Sequence, residues 1–300
     1  MSEYHVPVML SECIEALDIK PNGVYVDVTY GGGGHSREIL NKLGSKGKLV
    51  AFDQDADAIN NKVEDERLIL VNHNFRYLKN FLKYHDALPA DGLLADLGIS
   101  SYQIDEPQKG FAHRWDAALD MRMDQNATQT AADIVNGYDE RKLMQVLKNY
   151  GELDNAYKVT KNIINARQIQ AIKTTGQLKE AVVKSLPRDA ENKYLSKIFQ
   201  ALRIEVNQEL EVLEHLLNQS AQVLGKGGRL VIMSYHSLED RMVKNFIKTG
   251  NIEGKQDKDI YGNSHSPFKA VVTKAIIAND DELARNPRAR SAKLRIAEKL

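Results

Sequence analysis

Four consecutive glycines separate a strand-like segment from a helix-like segment near the start of this chain. Residues 24–29 read VYVDVT, and β-branched and aromatic residues at this density are typical of a short strand. The glycines are Gly31 to Gly34, and a helical pattern begins at His35. Glycine has no Cβ, so it adopts positive φ and lets a ligand approach the backbone closely. Strand, glycine turn and helix in this order predict the first unit of a nucleotide-binding α/β fold. A glycine turn that binds nothing is the simpler alternative.

Further strand-like segments alternate with helical patterns on both sides of a central region. They cover residues 48–52, 68–71 and 92–95 before that region, and residues 229–234, 268–277 and 291–297 after it. Strands that alternate with helices predict a mostly parallel sheet, because parallel neighbours need crossover connections. The last segment alternates apolar and polar residues in the manner of an edge strand.

The central region, residues 105–206, carries helical patterns and no convincing strand. Apolar residues at i, i+3, i+4 and i+7 predict a helix after an N-cap at Asp139, and Thr175 is expected to cap another helix. We therefore predict an all-helical domain over residues 105–206, inserted into a discontinuous core of residues 1–104 and 207–300. Extra helices packed on the sheet are the alternative.

Composition narrows the class of protein. The 300 residues are 42% hydrophobic and carry no net formal charge, which suits a large buried core and argues against a strongly basic coat. A local basic face for RNA remains compatible with this balance. With a single cysteine, no intramolecular disulfide can form, and a reducing compartment is expected.

The sequence shows no signal-peptide pattern and no apolar run of bilayer length, so we expect a cytoplasmic protein. The histidines lack metal-ligand spacing, so no metal is expected.

An acidic residue at the end of the second strand suggests what the glycine turn binds. Asp53 follows the glycines by about 20 residues, where a carboxylate can accept hydrogen bonds from ribose hydroxyls. Dinucleotides and S-adenosylmethionine both use this arrangement. Ser36 stands where GxGxxG has its third glycine, which counts against an NAD-dependent oxidoreductase. The phosphate-binding pattern G-x-x-x-x-G-K-[ST] is absent from the sequence.

Other candidate ligand groups follow the third and fourth strands. Ligands of open α/β sheets bind beyond the carboxyl ends of the strands. Asp96 ends the fourth strand, and Gln103 follows it with a side chain long enough to reach a cofactor or its substrate. Phe75 follows the third strand and could cover an adenine ring, although a lone aromatic residue more often belongs to a core.

Motifs along the whole chain resemble those of the bacterial 16S rRNA (cytosine-N4)-methyltransferases of the MraW type. The motifs are HVPV at 5–8, VDVTYGGGGHS at 26–36, DLGISS at 96–101, LDMRMD at 119–124, QALRI at 200–204, SYHSLEDR at 234–241 and NPRARSAKLR at 286–295. LDMRMD and HSLEDR are far more specific than the glycine turn. One departure is Tyr102, which stands where the family usually has proline.

The resemblance implies a class I methyltransferase core, Rossmann-like, with an inserted all-helical domain. It also implies S-adenosylmethionine as methyl donor and, as acceptor, a cytidine in the decoding centre (P site) of 16S rRNA, within the assembled small ribosomal subunit. The family's cofactor positions carry over to Gly33, Gly34, His35, Asp53, Phe75, Asp96 and Gln103.

The two most specific motifs supply candidate substrate-binding residues: Arg122, Asp124, His236 and Arg241. The arginines could bind RNA phosphates, with His236 near the base. A buried ion-pair network that joins the insertion to the core is an equally good interpretation. The basic C-terminal stretch with Arg288 and Arg290 suggests a phosphate contact.

Three functions remain in competition at this point. The leading hypothesis is an RNA N4-cytosine methyltransferase. An NAD-dependent oxidoreductase and a non-enzymatic RNA-binding ribosome assembly factor are the alternatives. Catalytic residues and oligomeric state are left open, a dimer included.

Overall fold

The computed structural model describes residues 7–59, 62–256 and 266–300. The chain divides into two compact units, one of residues 1–98 and 210–300 and one of residues 99–209. We call them the sheet unit and the helical unit. His5 and Val6 of the HVPV motif lie outside the described residues.

The sheet unit contains a seven-stranded sheet with the order β3-β2-β1-β4-β5-β7-β6. The strands are β1 (Val24–Asp27), β2 (Lys48–Asp53), β3 (Leu68–Asn72), β4 (Ala90–Asp96), β5 (Leu224–Ser234), β6 (Phe268–Ala270) and β7 (Lys293–Lys299). Strands β1 to β5 pair in parallel, and β7 runs antiparallel to β5 and β6. The predicted α/β fold with its mostly parallel sheet is thus confirmed.

Two details of the predicted sheet are wrong. The final strand, β7, is not an edge strand, since Leu294 pairs with Met233 of β5 and Ala297 pairs with Ala270 of β6. Its alternating pattern comes from two sheet faces with different burial, which an interior antiparallel strand can also have. Of the segment 268–277, only Phe268–Ala270 forms a strand, and Ile276 adds an isolated bridge to Leu294.

Helices cover both faces of the sheet and make up most of the helical unit. They are α1 (Leu10–Ala16), α2 (Gly34–Lys42), α3 (Ala56–Ile59), α4 (Leu78–Tyr84), α5 (Ser101–Asp105), α6 (Ala131–Gly137), α7 (Glu140–Gly151), α8 (Ala156–Ile169), α9 (Thr175–Val183), α10 (Glu191–Asn207), α11 (Glu209–Val223), α12 (Ser237–Thr249) and α13 (Asp280–Arg285). No helix in the described part of the chain is both long enough and apolar enough to span a bilayer.

Side chains of each central strand alternate between two cores. Val26 and Val50 face the side that packs against α4, α11 and α12. Tyr25 and Leu49 face the opposite side, which packs against α1 and α2. Successive residues of a strand point to opposite faces, so a strand buried on both faces needs a continuous apolar run. This double burial holds the strands in place, and the candidate ligand groups lie at their carboxyl ends.

The helical unit has a core of its own. Leu143, Leu147 and Ile163 are among its fully buried residues. Asp139 caps α7 as predicted, since its side chain accepts a hydrogen bond from the Lys142 N–H at 2.7 Å. The backbone bridge between Ala118 and Thr174 is the strand-type pairing seen in the described residues of this unit.

The predicted cap of α9 is wrong by one residue. Thr174 caps the helix, because its hydroxyl accepts from the Gln177 N–H while the Gln177 side chain accepts from the Thr174 N–H. Thr175 instead donates its hydroxyl to the Trp115 carbonyl at 2.6 Å. Two adjacent threonines cannot be told apart by spacing alone, and this tertiary contact separates them.

We expect Asp139→Ala to lower the free energy of unfolding of the helical unit by about 1 kcal/mol, because it removes the N-cap of α7. Asp139→Asn keeps an oxygen acceptor and should change stability much less. Trp115 is the only tryptophan and lies in the helical unit, so its fluorescence during urea unfolding provides the measurement. Equal shifts for both variants would contradict this role of the cap.

Candidate active site

The glycine turn joins β1 to α2 through backbone that only glycine tolerates. Gly31 and Gly33 have φ values of 52° and 73°. A Cβ on Gly33 would lie 2.6 Å from the Tyr30 hydroxyl oxygen, and one on Gly34 would collide with the Pro7 ring. Positive φ and lack of space both demand glycine here. The turn therefore packs closely against Tyr30 and Pro7, and it lies at the carboxyl end of β1, where ligands of open α/β sheets bind.

Asp53, at the end of β2, is bound to this turn. One carboxylate oxygen accepts a hydrogen bond from the Gly31 N–H at 2.8 Å, and the other accepts from the Asp55 N–H at 2.8 Å. Each carboxylate oxygen retains a further lone pair for a ligand hydroxyl. Burial raises the pKa of Asp53 to about 6, although its two backbone hydrogen bonds act in the opposite direction.

A buried hydrogen-bond network connects the end of β1 with α2 and β4. Asp27 is buried and accepts from the Ser36 hydroxyl at 2.7 Å and from the Thr29 N–H at 3.0 Å. The Thr29 hydroxyl accepts from the Asp96 N–H at 2.7 Å. Ser36, which replaces the third glycine of GxGxxG, thus anchors α2 to the strand. The network holds the glycine turn and the end of β4 in a fixed relation.

Asp96 is held at the end of β4 by a tyrosine from the neighbouring strand's end. The Tyr235 hydroxyl donates to one oxygen of Asp96 at 2.7 Å. Burial raises the pKa of Asp96 to about 6, while the nearby His35 ring and the Tyr235 hydrogen bond favour the carboxylate. Burial and the Asp96 carboxylate raise the pKa of Tyr235, so this phenol remains a donor.

His35 is the second residue of α2, and its side chain lies inside the protein. The residue is 5% exposed, and its Nε2 has no hydrogen-bond partner among the described residues. Buried polar atoms in folded proteins nearly always have a partner. An unpartnered ring nitrogen beside the glycine turn and Asp96 fits a site that is completed by a ligand.

Phe75 lies in a short 3-10 turn that follows β3. Its ring is half-buried and packs against the core on the α4 side of the sheet. The Asn72 amide at the end of β3 donates to the Asp53 carbonyl, and the Asn74 amide, at the N-cap of the turn, donates to the Gln54 side chain just after β2. Phe75 therefore belongs to the same sheet edge as Asp53.

Gln103 lies in the helical unit and not in the sheet unit. Its side chain accepts from the Ser100 N–H and its backbone N–H donates to the Ser100 hydroxyl, so the two residues form a capping box at the start of α5. Gln103 is buried. Its local role is thus structural, and its proposed cofactor role stays a prediction.

Arg122 and Asp124 lie in a loop of the helical unit. Arg122 makes a two-point ion pair with Asp120, at 2.8 Å and 2.7 Å, and also donates to the carbonyls of Gln125 and Ala127. Asp124 accepts from the Asn126 N–H at 2.9 Å. These contacts shape the loop itself. They favour an ordering role for the LDMRMD motif and leave an RNA role for it a prediction.

His236 and Arg241 occupy different positions on α12. His236 is the N-cap of the helix: its ring accepts from the Glu239 N–H at 3.4 Å, and Glu239 accepts from the Tyr235 N–H at 3.0 Å. Arg241 is exposed one turn later. Between them, Asp240 binds Arg295 at 2.7 Å and Lys293 at 3.3 Å, so part of the basic C-terminal stretch already has an acidic partner.

The sequence patterns missed three residues of this site: Asp27, Thr29 and Tyr235. Asp27 and Thr29 belong to the strand pattern and to the VDVTYGGGGHS motif without an assigned role, because nothing in a sequence reveals that a strand carboxylate accepts from a helix serine. Tyr235 gave a usable signal, since it directly follows β5, and parallel strands end at the same edge of the sheet.

These residues together form an acidic edge beside the glycine turn. Three carboxylates, those of Asp27, Asp53 and Asp96, lie close enough that the charge on Asp27 raises the pKa of the other two. Such an edge favours a ligand that carries hydroxyl groups and positive charge and disfavours a pyrophosphate. A nucleoside with a cationic group matches this set of carboxylate acceptors.

Comparison with known proteins places the chain in a family. The model of the MraW methylase family matches residues 2–300. "Ribosomal RNA small subunit methyltransferase H" of Bacteroides fragilis is 54% identical over 296 residues, which cover 99% of this chain and 97% of that protein. The protein of the same name from Flavobacterium johnsoniae is 54% identical over 298 residues, covering 99% and 98%.

Solved structures give a more distant likeness. A putative rRNA methylase from Clostridium thermocellum has 12% sequence identity and a TM-score of 0.46, with 99% of this chain and all of the other covered. The family match spans almost the whole chain, and it agrees with the glycine turn and the acidic residues at the carboxyl edge of the sheet. The chain therefore belongs to the MraW methylase family.

Proposed function

We propose that this chain transfers the methyl group of S-adenosylmethionine to the exocyclic N4 of a cytidine in the decoding centre of 16S rRNA. The observation that carries the proposal is the convergence of the glycine turn, Asp53 and Asp96 at one edge of the sheet. Membership of a methylase family makes methyl transfer the reaction. The names of the curated relatives make small-subunit rRNA the acceptor.

The residues of the sheet unit suit this donor. S-adenosylmethionine supplies an electrophilic methyl group on a positively charged sulfur. In our proposal Asp53 accepts hydrogen bonds from the ribose hydroxyls, and Gly33 and Gly34 let the ligand lie against the backbone. Phe75 covers the adenine, and His35 and Asp96 line the end that carries the positive charges. The family resemblance adds Gln103, which belongs to the helical unit.

The acceptor needs orientation more than a strong base. The N4 lone pair of cytosine is delocalised into the ring, so hydrogen-bond acceptors at the amine and a collinear approach to the methyl carbon supply much of the rate. Methylation at ring carbon C5 usually begins with attack by a cysteine thiolate. The only cysteine, Cys13, is buried, and burial raises its pKa well above the ordinary value. A buried thiol of this kind is a poor nucleophile, which favours N4 over C5.

The predicted RNA contacts remain part of the proposal. Arg241 is exposed on α12 and suits a phosphate contact. Arg122 and Asp124 would present their loop to the RNA, and His236 would act through the start of α12. The alternatives lose support, because an acidic sheet edge disfavours NAD, and a pure binding factor has no need for the intact glycine turn.

The test is methyl transfer from labelled S-adenosylmethionine to naked 16S rRNA, assembled small subunits and intact ribosomes, followed by digestion to nucleosides and mass identification. We expect N4-methylcytidine, with assembled subunits as the best substrate. Label in another nucleoside would refute the acceptor. Absence of label in all three, with donor binding intact, would refute the activity.

Asp53→Asn should weaken S-adenosylmethionine binding at least tenfold, because an amide cannot accept from the ribose and from the Gly31 and Asp55 N–H groups with the strength of a carboxylate. Isothermal titration calorimetry measures the dissociation constant. Asp57→Asn is the matched control, since it makes the same charge change in the adjoining helix α3. Similar affinities for both variants would remove the ribose role.

Donor affinity should fall as the pH drops through about 6. The pKa values of Asp53 and Asp96 are both raised to about 6, so both carboxylates are charged at neutral pH and become protonated below this value. Protonation removes hydrogen-bond acceptors and negative charge from the site. Affinity measured from pH 5 to pH 8 should therefore be constant at the alkaline end and decrease toward the acid end. A constant affinity throughout would contradict the assignment.

Tyr235→Phe should move the midpoint of this decrease to higher pH. The variant removes the hydroxyl that donates to the Asp96 carboxylate. The pKa of Asp96 therefore rises further. Tyr25→Phe is the control, since the Tyr25 hydroxyl is also hydrogen-bonded but to backbone groups of Asp18 and Lys20. An unchanged midpoint in Tyr235→Phe would show that Tyr235 does not tune Asp96.

A further inference from the structure

Three aromatic side chains are exposed among the described residues of the helical unit, and two of them, Tyr102 and Trp115, lie in one connected group of residues. Trp115, the only tryptophan of the chain, is 47% exposed, and Tyr102 is 53% exposed. Large aromatic residues contribute most of their stabilisation when they are buried. Exposed rings that gain little from the fold are candidates for contact with another molecule.

Each of these rings has a cation over it. The Lys109 ammonium lies 5.0 Å from the centre of the Tyr102 ring, and the Arg114 guanidinium carbon lies 5.4 Å from the centre of the Trp115 ring. Both distances are within the range of cation–π attraction. Arg114 also binds Asp105 at 2.6 Å, and Asp105 lies three residues after Tyr102 on α5, on the same helix face. These contacts join the five residues into one surface, which we call the aromatic strip.

The backbone beneath Trp115 is firmly held. The Thr175 hydroxyl donates to the Trp115 carbonyl at 2.6 Å, and the Thr175 N–H donates to the Ala117 carbonyl at 2.9 Å. Asp116 accepts from the Gly176 N–H at 3.0 Å, so its carboxylate is directed to the start of α9. A ring on a fixed backbone loses less conformational entropy when it binds a partner.

We propose that the aromatic strip binds unpaired nucleotides of the RNA substrate, with bases stacked on Tyr102 and Trp115 and phosphates near Lys109 and Arg114. The inference rests on the proposed function, which makes RNA the substrate, and it specifies single-stranded RNA. Recognition of unpaired nucleotides combines aromatic or arginine stacking platforms with cations along the backbone. The strip has both elements, and Asp105, its acidic member, is already paired with Arg114.

Tyrosine, tryptophan and arginine are also common in protein interfaces, so the remaining charged groups distinguish the two kinds of partner. Apolar side chains dominate the buried centre of protein interfaces, and lysine is depleted there. Here the rings alternate with charged groups, one of them a lysine. The composition therefore favours nucleic acid over a protein face.

Trp115 fluorescence tests the proposal directly. A single-stranded RNA decamer of mixed sequence should quench it in a saturable titration, whereas the same sequence in a duplex should quench it weakly. Equal quenching by both forms, or no quenching by either, would overturn the proposal. Quenching by assembled small subunits but not by any naked RNA would indicate a protein contact and would also overturn it.

Variants examined by anisotropy of a labelled decamer give an independent measurement. Trp115→Ala should weaken binding at least fivefold, and Trp115→Phe, which keeps a ring, should restore most of it. Tyr157→Ala is the matched control, because Tyr157 is 61% exposed and has Lys161 at 5.7 Å from its ring, but on α8. Equal affinity of Trp115→Ala and Tyr157→Ala would overturn the role of the strip.

Failure of this inference can be told apart from failure of the proposed function. If the wild-type protein forms N4-methylcytidine but does not bind the decamer, the strip proposal fails and the function stands. If the decamer binds through Trp115 but no methyl transfer occurs on any rRNA substrate, the proposed reaction fails and the surface stands.

Discussion

The carboxylate of Asp27 is the interaction on which the geometry of the site depends. It is 1% exposed, and a buried carboxylate is unfavourable unless its oxygens are satisfied. The Ser36 hydroxyl and the Thr29 N–H satisfy it, and Thr29 in turn accepts from the Asp96 N–H. Removal of any member would leave a buried polar group without its partner, which costs about 1–3 kcal/mol. The strand end, the first turn of α2 and the end of β4 are therefore held as one piece.

This arrangement also accounts for the electrostatics of the sheet edge. Asp53 and Asp96 both have pKa values raised to about 6 by burial, and Asp27 adds to the effect in each case. Bringing these acids together is unfavourable in the absence of a ligand, because like charges in a poorly solvated site repel. A cationic ligand relieves that repulsion when it binds. The site thus favours positively charged ligands, and the methyl donor carries positive charge on its sulfonium and on its amino group.

Most of the fold could be predicted from the sequence, because burial on both faces gives β1, β2 and β4 unmistakable apolar runs. The predicted site residues on the sheet, from Gly33 to Asp96, lie at its carboxyl edge because parallel strands end together. Contacts between residues that are distant in the sequence were harder to predict. The position of β7 inside the sheet depends on β6, which is only three residues long, and the bond between Tyr235 and Asp96 joins positions 139 residues apart. The short β6 leaves no local signal, and the place of Tyr235 after β5 marks the sheet edge but not its bond to Asp96, so tertiary contacts decided both.

In our proposals the two units meet different physical requirements of the enzyme. Ligand binding at the sheet edge needs buried polar groups with fixed partners, and the Asp27 network supplies them within a sheet that is covered on both faces. Recognition of a large, highly charged substrate needs exposed rings and cations, which a helical unit with its own core can present without disturbing that network. Thr175 is an example: Thr174 caps α9, and the Thr175 hydroxyl instead binds the backbone carbonyl of Trp115. The contact between Thr175 and the Trp115 carbonyl adds nothing to the helix cap. It is useful if the Trp115 ring has to be presented to the RNA in one orientation.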